Sequence, residues 1–155
     1  MRNWLLAVAI SESIRQAVRA NANYLCEYCH SPERSSSDMF TLDHLLPRSL
    51  GGSDKSDNLA LACRRCNERR YNFTTATDLQ TGSTVPIFNP RSQKWANHFT
   101  WSTDALRIIG TSAIARGTCY RLDMNDEAHN RRFIQDAREL WIQGGWHPPT
   151  ENPRQ

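Results

Sequence analysis

Cys26-Glu27-Tyr28-Cys29, Leu42-Asp43-His44-Leu45-Leu46-Pro47-Arg48-Ser49-Leu50-Gly51-Gly52 and Cys63-Arg64-Arg65-Cys66-Asn67 are the three stretches that decide how this chain folds. A Cys-x-x-Cys turn delivers two thiolates to one side of a metal, and two such turns complete a tetrahedron. Random placement of five cysteines would give only about 0.1 pair at that offset, so two pairs are a strong signal. Thirty-three residues separate the pairs, enough for a folded segment between them. A site of four thiolates leaves no open position for water, so the expected zinc is structural. A redox pair needs only one such turn, and buried free cysteines remain the bland alternative. Cys119 reads as a small core residue. His30, beside Cys29, reads as a knuckle residue with the chemistry to replace a thiolate.

The rest of the composition bounds the answer. At 155 residues the chain suits a single domain, and 39% hydrophobic with 23% charged residues is the balance of a globular protein. The apolar run at Trp4–Ile10 is too short to span a bilayer, and Ala7-Val8-Ala9 lies too early for a signal-peptide cleavage site. The segment is expected as a strand or irregular lead-in to a cytoplasmic protein, with no membrane partner. In a reducing compartment paired cysteines favour metal over disulfide. The net charge of +3 does not by itself imply nucleic acid, but the cations are 17 Arg against 2 Lys. Guanidinium groups suit bidentate contact with phosphate, although GC-rich coding gives the same bias.

Local patterns give a coarse element order. Ile14, Ala17 and Val18 make an amphipathic helix over 11–22, with Ser13 and Gln16 as a capping box. Residues 24–30 read as a turn, 31–38 as a polar loop, 39–43 as a strand, 59–61 as a short apolar segment and 64–73 as a helix. A link at 74–84 opens the second half, followed by a turn at 88–91. Strands at 98–101 and 106–109 form a hairpin, and a helix covers 111–122. Asn125 is expected to cap a longer helix running to Gln143, with Phe133, Ile134, Ala137, Leu140 and Trp141 as its apolar stripe and Gly144-Gly145 ending it. Residues 148–155 read as a frayed tail.

In this setting the Asp43-His44 dipeptide, with Asn58 and Asn67 following it, resembles the HNH endonucleases, the ββα-metal nucleases. The likeness covers residues 24 to about 72. The resemblance implies an α+β fold: an HNH core over 11–73 stapled by a structural zinc on Cys26, Cys29, Cys63 and Cys66. A mixed α/β extension over 74–155 would set specificity or dimerise the protein. It implies that His44 is the general base drawing a proton from the attacking water, and that Asp43 and Asn67 hold one Mg²⁺ or Mn²⁺. Asn67 stands where other members carry His, so that ligand is a neutral oxygen. Asn58 would hold the loop and orient the His44 ring. DNA cut in this way would carry 5′-phosphate and 3′-hydroxyl ends. Taken singly, Asp43, Asn58 and Asn67 have bland readings as loop cap, helix cap and surface residue.

Arg64, Arg65, Arg69 and Arg70, offset only by Glu68, surround the proposed site, and Arg48 lies near it. All five are candidates for the phosphate backbone. Trp95, His98, Phe99, Trp101, Trp141 and Trp146 suit either core packing or base stacking. Two competing functions remain open: a zinc-dependent DNA-binding module without catalysis, and an RNA-directed nuclease.

Overall fold

A computed structural model describes residues 9–128 and 132–150. The expected lead-in at 1–8, the last residues of the tail (151–155) and residues 129–131 lie outside it. Helix α1 runs Glu12–Asn21 and buries Val18 against the core. Its cap is Ser11, whose hydroxyl accepts from the Ile14 amide at 3.3 Å, so the capping box expected at Ser13 and Gln16 does not form. Gln16 instead bonds the Glu12 side chain, four residues back.

The first knuckle is built on a strand that follows it in sequence. Cys26 and His30 close the turn through the Cys26 amide on Ser31 and the His30 amide on the Cys26 carbonyl. Strands β1 (Thr41–His44) and β2 (Leu59–Ala62) pair antiparallel, with Asp43 opposite Ala60 and His44 opposite Leu59. The Glu27 amide donates to the Leu61 carbonyl, and the Leu61 amide returns a bond to the Glu27 carboxylate. Every residue of β2 is buried, and α2 (Arg64–Arg70) begins two residues after it, capped by Cys63. This helix stops at Arg70 rather than Phe73. Tyr71 turns to φ 50°, ψ −120°, a conformation that costs a bulky side chain free energy. The core therefore runs helix, knuckle, strand, loop, strand, knuckle, helix.

The segment expected as a link is a second hairpin, β3 (Thr75–Thr77) with β4 (Thr84–Pro86). Buried Asp78 shapes its loop, accepting from the Gln80 amide and the Thr81 hydroxyl. Two-residue alternation is hard to read in strands of three residues, so this hairpin carries little local signal. The third hairpin, β5 (Phe99–Trp101) with β6 (Ile108–Gly110), falls where it was expected. Helix α3 (Ala113–Leu122) packs against β3, β4 and β6.

The final helix, α4, spans Phe133–Gln143 and is not capped by Asn125. The Asn125 side chain instead binds both the amide and the carbonyl of Ile108, closing the open edge of β6. Its expected stripe is also rotated. Ile134 is buried, but Phe133 and Leu140 are each 65% exposed, and the fully buried residue of this helix is Arg138. That guanidinium binds the carbonyls of Leu106 and Met124 and the Asn125 side chain, a tertiary use that hydropathy patterning cannot show.

One apolar cluster runs through both halves, from Val18 and Leu61 to Phe99 and Leu122. Trp95 is the hinge pin: its ring stacks on His30 at 4.1 Å and on Phe99 at 5.2 Å, and its indole N–H donates to the Tyr28 carbonyl. Arg91, from the second half, forms an ion pair with Glu27 inside the first knuckle.

Candidate functional site

The sulfurs of Cys26, Cys29, Cys63 and Cys66 all lie within 4.8 Å of one another and are buried. Cys29 and Cys63 Sγ are 3.7 Å apart, close to the roughly 3.8 Å edge of a tetrahedron with metal–sulfur bonds of about 2.3 Å. The cluster fits a closed zinc site. His30 does not enter it: its ring turns onto Trp95, neither ring nitrogen has a partner, and burial lowers its pKa to about 4. Burial raises the Cys26 thiol and bonding to Cys26 raises that of Cys66, whereas the surrounding thiols lower Cys29. Four buried thiols held this close together suit a divalent ion that takes them as thiolates. Cys119 stands apart, pushed by burial to about 12, with its sulfur against that of Met124.

Strand alternation sends Asp43 inward and His44 to the opposite, half-buried face. Asp43 is 4% exposed and accepts from the Tyr28 hydroxyl and, at 2.9 Å on each oxygen, from Arg70 Nη1. Burial raises its pKa, and the Arg70 guanidinium opposes that shift. Arg70 also binds the carbonyls of His44 and Leu45, so one guanidinium fixes the end of β1 to α2. Asn67 lies three residues before Arg70 on α2, a spacing at which two side chains are neighbours on the helix surface. Its side chain makes no hydrogen bond to other described residues. Asp43 Oδ1 takes a bond from Arg70 alone and keeps a lone pair. A carboxylate oxygen and an amide oxygen are groups that would suit a hard divalent ion.

The loop after His44 owes its shape to two glycines and Asn58. Gly51 adopts φ 88°, and a Cβ on Gly52 would sit 1.7 Å from the Leu46 carbonyl oxygen. Asn58 binds the amide and carbonyl of Leu46 and the carbonyl of Ser53. It therefore holds the loop, as expected, but it does not touch the His44 ring. The residue that does is Asp54, whose Oδ1 lies 2.7 Å from His44 Nε2. Nothing in the local sequence marks Asp54 as different from other loop carboxylates.

The five candidate arginines separate sharply. Arg64 is open to solvent, with an 80% exposed side chain paired only to Glu68 one turn on. Arg48 is paired with Asp54 at 2.9 Å. Arg65 binds Asp126, and Arg69 binds Asp126 together with the carbonyls of Leu122 and Asp123. Arg70 is 3% exposed and has no surface for a phosphate. Three of the five thus fasten the core or join it to the second half. Among the aromatic candidates, Trp95 and Phe99 are buried core residues. His98 packs edge-on against Phe88 and bonds Ser112, Trp101 sits edge-on to His147, and Trp141 is half-buried. Trp146 is exposed, with Arg34 over its ring.

A cleft of about 430 Å³ lies beside Arg70 and the loop after His44, lined by Leu45, Asn58, Arg70, Pro86, Asn89 and Gln93 among others. Residues 26–73, the span that contains both knuckles and the Asp43–His44 strand, match the family model for HNH endonucleases. That stretch of the chain is therefore similar to an HNH endonuclease domain. Neither a curated protein nor a solved structure matches the chain. No helix among the described residues is long and apolar enough to cross a membrane.

Proposed function

We propose that this protein is a DNA endonuclease that hydrolyses phosphodiester bonds with one divalent ion and His44 as general base. The observation that carries the reading is the join between β1 and α2. The Arg70 guanidinium fastens Asp43, on the strand that ends at His44, to α2, the helix that also carries Asn67. Asp43 and Asn67 would hold Mg²⁺ or Mn²⁺. When bound, that ion supplies Lewis-acid stabilisation of the charge that develops on the phosphate and the departing 3′ oxygen. His44 removes the proton from the attacking water, and its partly exposed ring is open to that water. Arg64 is the guanidinium best disposed to meet a phosphate, because exchanging an exposed Glu68 partner costs little. Four cysteines serving as zinc thiolates suit a reducing cytoplasm. A single site cuts one strand, so a double-strand break needs a second copy of the chain.

The test is incubation of supercoiled plasmid with the purified protein and Mg²⁺ or Mn²⁺, beside a His44→Ala variant and a parallel RNA substrate. Nicked circles that a ligase reseals directly are expected from the wild type, with a loss of about 10²-fold or more in His44→Ala. Equal cutting by both removes His44 from the mechanism. RNA cut in preference to DNA reassigns the substrate, and binding without cutting under any divalent ion leaves a zinc-dependent DNA-binding module.

A further inference from the structure

Among the described residues His44 has one side-chain partner, and its environment is built rather than incidental. Asp54 Oδ1 meets His44 Nε2 at 2.7 Å and Arg48 Nε at 2.9 Å, so a single oxygen ties the loop to the ring. The loop backbone is fixed on both sides of Asp54. The Ser53 carbonyl accepts from Asn58 at 2.8 Å, and the Ser53 hydroxyl accepts from the Lys55 amide at 3.4 Å. Arg48, reached from the 3₁₀ turn Arg48–Leu50, closes the arrangement from outside. The guanidinium first and then the imidazole hold the Asp54 carboxyl below the usual carboxylate range.

An ionised carboxylate only accepts hydrogen bonds. The proton shared with His44 must therefore be carried by the ring, on Nε2, and in the neutral ring the lone pair is then on Nδ1. We infer that Asp54 is the positioning residue of this site: it fixes the His44 tautomer with Nε2–H toward the loop and Nδ1 free to accept the proton of the attacking water. Arg48 serves by holding Asp54 in a pair that is open to solvent on its outer side. As water attacks, one O–H bond breaks and its proton forms a bond to Nδ1. The resulting imidazolium lies against the Asp54 carboxylate, which keeps its charge and takes no proton. The inference rests on the reading of His44 as general base, and it transfers to Asp54 the ring-orienting role expected of Asn58.

The test uses the zinc-loaded full chain and four variants: Asp54→Ala, Asp54→Asn, Arg48→Met and His44→Ala. Three quantities are read at one fixed pH: single-turnover nicking rate, plasmid affinity, and the ¹⁵N pattern of the His44 ring. Asp54→Ala is expected to lose about 10- to 100-fold in rate at unchanged plasmid affinity. Its ring spectrum should change from a single Nε2–H form to a mixture of tautomers. Asp54→Asn keeps the shape but loses the charge and offers an amide N–H₂ that favours the opposite tautomer, so its rate should fall with that of Asp54→Ala, which a merely space-filling role would not require. Arg48→Met, which leaves the carboxylate in place, should lose less than either. An Asp54→Ala protein with wild-type rate and an unchanged ring pattern, beside an inactive His44→Ala, overturns the inference and leaves the general base in place. Wild-type cutting by His44→Ala overturns both.

Discussion

The two halves of this molecule solve the same problem with different chemistry. Each consists of strands of three or four residues and helices of seven to eleven, too short to be stable alone. The first half gathers its pieces around four sulfurs, and its knuckles hang from β2 through the reciprocal Glu27–Leu61 bonds. The second half has no such cluster among the described residues and relies on polar clamps. Arg116 grips Asp78, Asn125 closes β6, and Arg138 collects three acceptors. A metal brace concentrates the fastening at one point, whereas clamps spread it along the chain. The fastening is shared where the halves meet, through Trp95 on Tyr28, Arg91 on Glu27, and Arg65 with Arg69 on Asp126.

The largest test of that contrast is removal of the metal. Structural zinc contributes apparent free energies of about 10 kcal/mol or more in small domains. Chelation, or Cys63→Ser, should therefore unfold the first half and carry the second with it in one transition by circular dichroism. Amides of β5 and β6 that stay protected from exchange after chelation would make the second half an independent unit.

Next in size is Arg70→Met, which leaves the Asp43 carboxylate buried with Tyr28 alone and strands the carbonyls of His44 and Leu45. Breaking a buried pair in this way should cost about 3–5 kcal/mol in urea unfolding. It should also abolish nicking. A loss below about 1 kcal/mol would mean that zinc alone holds β1 to α2.

A smaller effect separates the halves by pH. Hydrogen bonds from Arg116 hold the Asp78 pKa well below the ordinary aspartate value. A depressed pKa stabilises the fold above the unfolded value, and that contribution is lost as pH falls through about 4 and below. Asp78→Asn should therefore flatten the acid side of the melting-temperature profile relative to the wild type. An unchanged slope would show that the Asp78–Arg116 pair contributes little. Smallest is Tyr71→Gly, which relieves φ 50° at the end of α2 and should raise stability by about 1 kcal/mol in thermal unfolding. A loss of stability there would mean that the exposed Tyr71 ring makes contacts worth more than the strain.

The contrast also explains what could be read in advance. The four-cysteine cluster, strand β1, helix α2 and the β5–β6 hairpin are local in character: fixed cysteine offsets and short runs with the periodicity of strand or helix. The β3–β4 hairpin and the true start of α4 were not readable, because Asp78 and Asn125 act on partners 38 and 17 residues away. The arginines mislead for the same reason. Arg65, Arg69 and Arg70 look alike in sequence, and only their distant carboxylates and carbonyls show that they fasten the fold.

The sequence by itself determined the four-thiol cluster, and it set the order of an Asp-His pair and two asparagines at offsets that a short strand and helix can carry. Covalent spacing and two-residue alternation are enough to fix those. Only the tertiary structure decided what each group faces. It turned Asp43 inward onto Arg70, gave His44 to Asp54 rather than Asn58, and spent most of the arginines on holding the protein together. Pairing energy depends on which charges burial brings within about 4 Å, and chain order does not encode that distance.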